Sequence, residues 1–141
     1  MSIVKITDEI EDLWGDLNFI NPPKIKSPLT ILEEQGQLLL KKTNGLLEGE
    51  VYSFTHPSSK TVHYVFLIKA KKIDYKTSLF HTVRPLSQMY PYPVEVSWPR
   101  GNNDEQIEKI TTEEEYIKKV KFILQHQKTK DLLHRLASQM V

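Results

Sequence analysis

His56 and His63 stand on either side of a short turn, and His81 with Arg84 lies on the next extended stretch. Two histidines near a cationic side chain can cleave RNA without a metal, one imidazole taking the 2′-hydroxyl proton and the other protonating the leaving oxygen. The same residues have plainer uses. A histidine on a strand commonly packs half exposed, and His56, immediately before Pro57, suits a turn. No catalytic residue is therefore assigned, and His56, His63, His81 and Arg84 form the alternative set.

The remaining chemistries find less support. No His pair sits at i, i+4 on a predicted helix or i, i+2 on a predicted strand, so a zinc site is not expected, and no metal or cofactor is assigned. With 0 cysteines the chain has no disulfide, no thiolate nucleophile and no zinc-thiolate site. Phosphate-cradling glycine loops, HExxH helices, GxSxG elbows and EF-hand loops are all absent from the sequence.

Binding offers more candidates. Lys60, Lys69, Lys71, Lys72 and Lys76 accompany Tyr64, Phe66 and Tyr75, a mixture that can hold phosphates and stack on unpaired bases. Against this, Tyr64 and Phe66 lie in the most apolar run, "YVFLI", and are expected to face a core. The formal charge of +1 also denies the chain the basicity of a dedicated duplex binder. Lys118, Lys119, Lys121, Lys128, Lys130 and Arg135 make the C-terminal region basic, opposite the acidic Asp8 to Asp16 stretch and "DEQIEKITTEEE". Such asymmetry suits complementary packing, helix dipoles or a partner surface. The aromatic residues Tyr52, Phe54, Tyr90, Tyr92 and Trp98 are the candidate binding residues, with Trp98 also serving the core.

These side chains need a scaffold, and the hydrophobic pattern supplies one. In "TDEIEDLWGDL", Ile10, Leu13, Trp14 and Leu17 recur at helical spacing behind a Thr7 cap. After the loop "NPPKIKSP", Ser27 caps and Pro28 opens a second helix with Leu29, Leu32, Leu39 and Leu40 as its buried stripe, and Asn44 and Gly45 end it. Gly36 in its middle, unfavourable by about 1 kcal/mol relative to Ala, points to close approach of the helix to a sheet.

Then the period shortens. "LLEGEVYSFTH" and "TVHYVFLIKAKKI" around "PSSK" read as a β-hairpin. An odd connection sets Phe54 opposite Tyr64 and Tyr52 opposite Phe66, the preferred register; an even one sets Phe54 opposite His63. "KTSLFHTVRP" makes a third strand. In "MYPYPVEVSWPRG" Tyr92, Val94, Val96 and Trp98 alternate with Glu95 and Ser97 as a fourth, placed at a sheet edge because Pro93 and Pro99 bracket it. Beyond a loop, Thr112 and Glu115 box the start of a helix bearing Tyr116, Val120, Ile123 and Leu124, and a last helix from Thr129 carries Leu132, Leu133, Leu136, Ala137 and Met140.

The expectation is one α+β domain over 1–141, an antiparallel meander of about four strands flanked by N-terminal and C-terminal helices: helix and loop over 1–23, helix over 24–45, sheet over 46–99, loop and helices over 100–141. The apolar run of the hairpin is far below the roughly 20 residues needed to cross a bilayer, and the acidic start does not resemble a secretory signal, so a cytoplasmic location and no membrane partner are expected. The expected function is non-catalytic protein interaction, as an adaptor, an inhibitor or immunity-type protein, or a homodimer. The alternative is a protein that binds single-stranded RNA or cleaves it without a metal.

Overall fold

The structure, a computed structural model, describes residues 11–13, 25–99 and 105–140. The helix expected from Thr7 falls outside the described residues except for 11–13, which have no regular structure. Much of the loop after Pro99 also lies outside them.

Helix α1, Pro28–Lys42, begins as its sequence dictates: Ser27 holds extended backbone and its hydroxyl accepts from the Thr30 N–H, while Pro28 occupies a position whose N–H has no helical partner. It stops where Asn44 and Gly45 adopt left-handed φ angles of 51° and 86°. Its inward face consists of Pro28, Ile31, Leu32 and Gly36, with Leu29 and Leu39 partly buried beside them; Ile31 thus joins the stripe, and Leu40 is only half-buried.

The sheet follows as an antiparallel meander in the order β1-β2-β3-β4-β5: β1 is Glu48–His56, β2 Thr61–Ala70, β3 Tyr75–Pro85, β4 Val94–Pro99 and β5 Glu105–Ile110. The fold is α+β as expected, with five strands where about four were expected. The additional strand occupies "EQIEKI", in the stretch expected to be loop. Its backbone pairs Val94 with Ile110, Val96 with Glu108 and Trp98 with Gln106. Strand β4 is consequently interior, not an edge. Its prolines are compatible with that position because Pro93 precedes the strand and Pro99 ends it, where a missing N–H interrupts no central ladder bond.

The β1–β2 register is also corrected. His56 pairs with Thr61 across the even, four-residue connection 57–60, so Phe54 stands opposite His63 and Tyr52 opposite Val65. Lys60 makes this return possible by taking a left-handed φ of 54°.

Two helices close the described chain. In α2, Glu113–Leu124, the Thr112 hydroxyl accepts from the Glu115 N–H, and Glu113 to Glu115 place negative charge at the positive end of the helix. In α3, Gln127–Ser138, the cap is His126, whose Nδ1 accepts from the Lys128 N–H. Among the described residues no helix is long and apolar enough to cross a membrane.

All three described helices pack on one face of the sheet. That face carries Val62, Tyr64, Phe66 and Ile68 from β2, Phe80 and Thr82 from β3, and Val94, Val96 and Trp98 from β4, all buried. Tyr116 of α2 donates to or accepts from Thr82 at 2.7 Å, and Trp98 meets Phe122 and His126 edge-on at 5.7 and 4.9 Å between ring centroids. Because side chains alternate along a strand, this assignment fixes what the other face presents.

Candidate functional site

The face away from the helices is built from the alternate positions. The strand pairings line them up in two complete rows: Tyr52, Val65, His81, Ser97 and Ile107 in one, and Phe54, His63, Val83, Glu95 and Lys109 in the next. At the centre His63, Val65, His81 and Val83 are half-buried by their neighbours, whereas Tyr52 and Ile107 at the two sides are 57% and 62% exposed. Charged residues follow farther along the strands on the same face: Glu48, Lys69 and Lys76 pair in one row, and Glu50 stands in the row between it and Tyr52.

Three imidazoles gather here. His63 is 6.2 Å from His56 and 6.0 Å from His81 between ring centroids, and its ring stacks on Phe54 at 4.7 Å with 6° between the planes. The Thr61 hydroxyl and His63 Nε2 are 2.9 Å apart, and Ser59 extends this chain at 2.7 Å to Thr61. On the other side of the turn the Ser58 hydroxyl and His56 Nδ1 are 2.9 Å apart. Partial burial, followed by the neighbouring His81 and His56, lowers the His63 pKa below its ordinary value. The cluster therefore favours a neutral His63.

Arg84 does not join the imidazoles. It pairs with Val62, one residue out of phase with His63 and His81, and so points toward the helix side. There its Nε donates to the Tyr64 hydroxyl at 3.2 Å and its Nη1 to the Gln88 carbonyl at 3.2 Å. The histidines of the alternative catalytic set are brought together and its cation is not. No group of three or more His, Asp or Glu among the described residues has metal-ligating geometry.

Three of the five lysines considered for phosphate binding are paired with acids. Glu50 receives both Lys69 at 3.5 Å and Lys76 at 3.4 Å, and Glu48 receives Lys71 at 3.9 Å. Partial burial alone would raise the Glu50 pKa, but the hydrogen bond and charge of Lys76 together with Lys69 outweigh it and leave the carboxyl below its ordinary value. Tyr64 and Phe66 are buried in the core, as their apolar surroundings predict. Farther round the molecule, Lys119 pairs with Glu108 at 2.8 Å and lies 5.3 Å from the Phe122 ring centroid, and Lys118 pairs with Glu114 at 3.6 Å.

The five candidate binding residues separate into three places. Tyr52 and Phe54 share the open face. Tyr90 is 72% exposed on the connection between β3 and β4. Tyr92 and Trp98 are packed in the core. The Tyr92 hydroxyl donates to the Lys26 carbonyl at 3.0 Å, and burial, aided by the charge of Glu113, raises its pKa.

A concave feature lies on the helix side, a cleft of about 510 Å³ between α1 and the two C-terminal helices. Phe66 and Ile68 form its floor, and Ile31, Leu39, Val120 and Leu133 its walls. These are packing residues of the core, and the lining also includes Lys42, Lys121 and the ion pair of Lys26 with Glu34 at 3.0 Å. Sequence reasoning missed this cleft, and also missed Val65, Val83 and Ile107 on the open face. The alternation in "HYVFL" and "FHTVR" contains that face, but only the register shows which residues lie beside the imidazoles.

Comparison with known protein families, with curated proteins and with solved structures finds no match to this chain.

Proposed function

We propose that this chain is a non-catalytic protein-binding domain whose open sheet face is the docking surface. The single observation supporting this reading is the composition of that face: two unbroken rows run across all five strands, with apolar and aromatic side chains on the β1 side and at the centre, and with Glu95 and Lys109 closing one row at its β4–β5 end while Ile107 closes the other. A sheet that buries one face under helices usually carries polar residues on the other. Val65, Val83, Tyr52, Phe54 and Ile107 on the solvent side depart from that pattern, as interface cores do. Catalysis draws no support from the same geometry, since the imidazoles are separated from Arg84 by the thickness of the sheet. Single-stranded RNA would find rings to stack on, but the nearby Lys69, Lys71 and Lys76 are paired with Glu48 and Glu50, which offset most of their charge.

The test is photocrosslinking in the native host, with a benzophenone amino acid replacing Phe54 on the open face or Ile117 of α2, which lines the cleft on the helix side. A discrete protein adduct from position 54, absent from position 117, is the expected result. Adducts to RNA, or equal labelling from both positions, would exclude the proposal.

A further inference from the structure

We infer that the helix-side cleft is a binding site for a single-chain aliphatic carboxylate, a free fatty acid of medium length that lies along α1 with its head between Lys42 and Lys121. The site is separate from the open sheet face and does not depend on the role proposed for that face. At about 510 Å³ the cleft falls within the size range of sites that enclose small ligands. Its lips carry Leu38 of α1 and Ile117 of α2, large apolar side chains left 44% and 46% exposed, beside the partly buried Leu39, Leu124 and Leu133. An apolar occupant removes these surfaces from water.

The charge on the lining differs between the two ends. The Lys26 N–H donates to Glu113 Oε1 at 2.7 Å, so α1 and α2 begin side by side. On this part of the lining the Lys26 ammonium is paired with Glu34 at 3.0 Å, and the two charges offset each other. Lys42 is the last residue of α1 and Lys121 lies in the last turn of α2, so both stand away from that corner. Neither has a carboxylate partner among the described residues. Lysine stems lie along apolar walls while their ammonium groups stay at the rim. One end of the cleft is therefore neutral and the other cationic, which suits a ligand with one apolar tail and one anionic head.

The dimensions select the kind of tail. From Ile31 to Lys42 the lining follows α1 for about 16 Å. Spread over that length, 510 Å³ leaves a channel of about 30 Å² in section. An α-helix about 10 Å across needs more than twice that section. A single unbranched chain, about 4.5 Å across at van der Waals contact, fits within it. Such a chain advances about 1.3 Å per carbon when extended, so about 12 carbons span the cleft.

Calorimetric titration of the full-length protein with sodium dodecanoate, below its micelle concentration, tests the inference. One molecule per chain is expected to bind. In a series of shorter and longer carboxylates, affinity should rise about fourfold with each methylene and level off near 12 carbons, where the cleft ends. Dodecanol, with the same tail and no charge, should bind about tenfold more weakly. Lys42→Gln and Lys121→Gln should each weaken dodecanoate binding roughly two- to fivefold and leave dodecanol binding unchanged, which also shows that both variants are folded. Leu38→Glu, at an exposed position on the lip, should abolish binding with its urea midpoint retained. An absence of saturable binding, equal affinity for dodecanol and dodecanoate, an affinity that keeps rising well beyond 12 carbons, undiminished binding to Leu38→Glu, or association with anionic vesicles in place of the free acid would each overturn the inference.

Discussion

Gly36 of α1 and Gly49 of β1 meet backbone to backbone: a Cβ on Gly36 would lie 2.1 Å from the Gly49 carbonyl oxygen, and one on Gly49 would lie 2.6 Å from the Gly36 Cα and 2.6 Å from Phe66 Cζ. The helix is thereby pressed onto the first strand, which sets the height of α1 above the sheet. Replacing Gly36 by alanine gains about 1 kcal/mol of helix propensity but drives a methyl group into main chain that cannot step aside. We expect Gly36→Ala to lower stability by about 2 kcal/mol net. Gly45 makes the control, since nothing lies within 4 Å of its added Cβ and only its φ of 86° opposes the change, at about 1 kcal/mol. Urea midpoints of the two variants decide the matter, and a stabilised Gly36→Ala would show that helix and strand stand apart.

Thr82 and Tyr116 form the polar contact in the middle of the core, with both residues fully buried and their hydroxyls 2.7 Å apart. Removing one hydroxyl leaves the other without this partner in an apolar interior, at about 1–3 kcal/mol. Removing both in Thr82→Val with Tyr116→Phe deletes the need along with the bond. The double variant should therefore lose less than the two single losses added, with a coupling of about 1 kcal/mol. Additive losses in a denaturant double-mutant cycle would mean that the two hydroxyls do not depend on each other.

The three described helices were legible because their signals are local. Ser27, Pro28, Thr112 and Glu115 act within one turn of the residues they cap, and the Asn44–Gly45 stop acts on its own backbone. The sheet required non-local information. Strand β5 was hidden because Glu105, Gln106, Glu108 and Lys109 outnumber Ile107 and Ile110, and its pairing energy comes from a neighbour, β4, that sequence order does not identify. The site depended on parity. Moving the hairpin by one residue would place Phe54 beside Tyr64 in the core, whereas the even connection sets it on His63 outside. The same parity separates Arg84 from His81, three positions apart on one strand, so residue types that suggested a single cluster are divided between two faces.

Glu50 tests the charged border of the open face. Its carboxyl is held by Lys69 and Lys76 across two strands, partly in solvent, so each link contributes below about 1 kcal/mol. Because its folded-state pKa lies below the ordinary 4.5, its contribution is present above that value and is lost as the pH falls through and below it. Glu50→Gln should cost less than about 1 kcal/mol at neutral pH and flatten the acid limb of the stability curve. The difference from wild type should shrink in high salt, as urea titrations at two ionic strengths would reveal. A salt-independent difference would assign the loss to packing.

His63 controls a separate pH window. The unfolded chain binds a proton at this imidazole near 6.5, while the folded chain, with the ring partly buried and His81 and His56 alongside, binds it only at lower pH. Between the two values the unfolded state holds more protons, so stability declines as the pH drops through 6.5 and stops declining once His63 is protonated in both states. His63→Phe keeps a ring against Phe54 and removes the titration. It should leave a flatter stability curve on the acid side of neutrality, above the range in which Glu50 acts. His81→Phe should give an intermediate slope, because it takes away one neighbouring charge and leaves the partial burial in place. Urea unfolding from about pH 8 to pH 5 separates the cases. An unchanged slope in His63→Phe would place the source of any acid sensitivity outside the imidazole cluster.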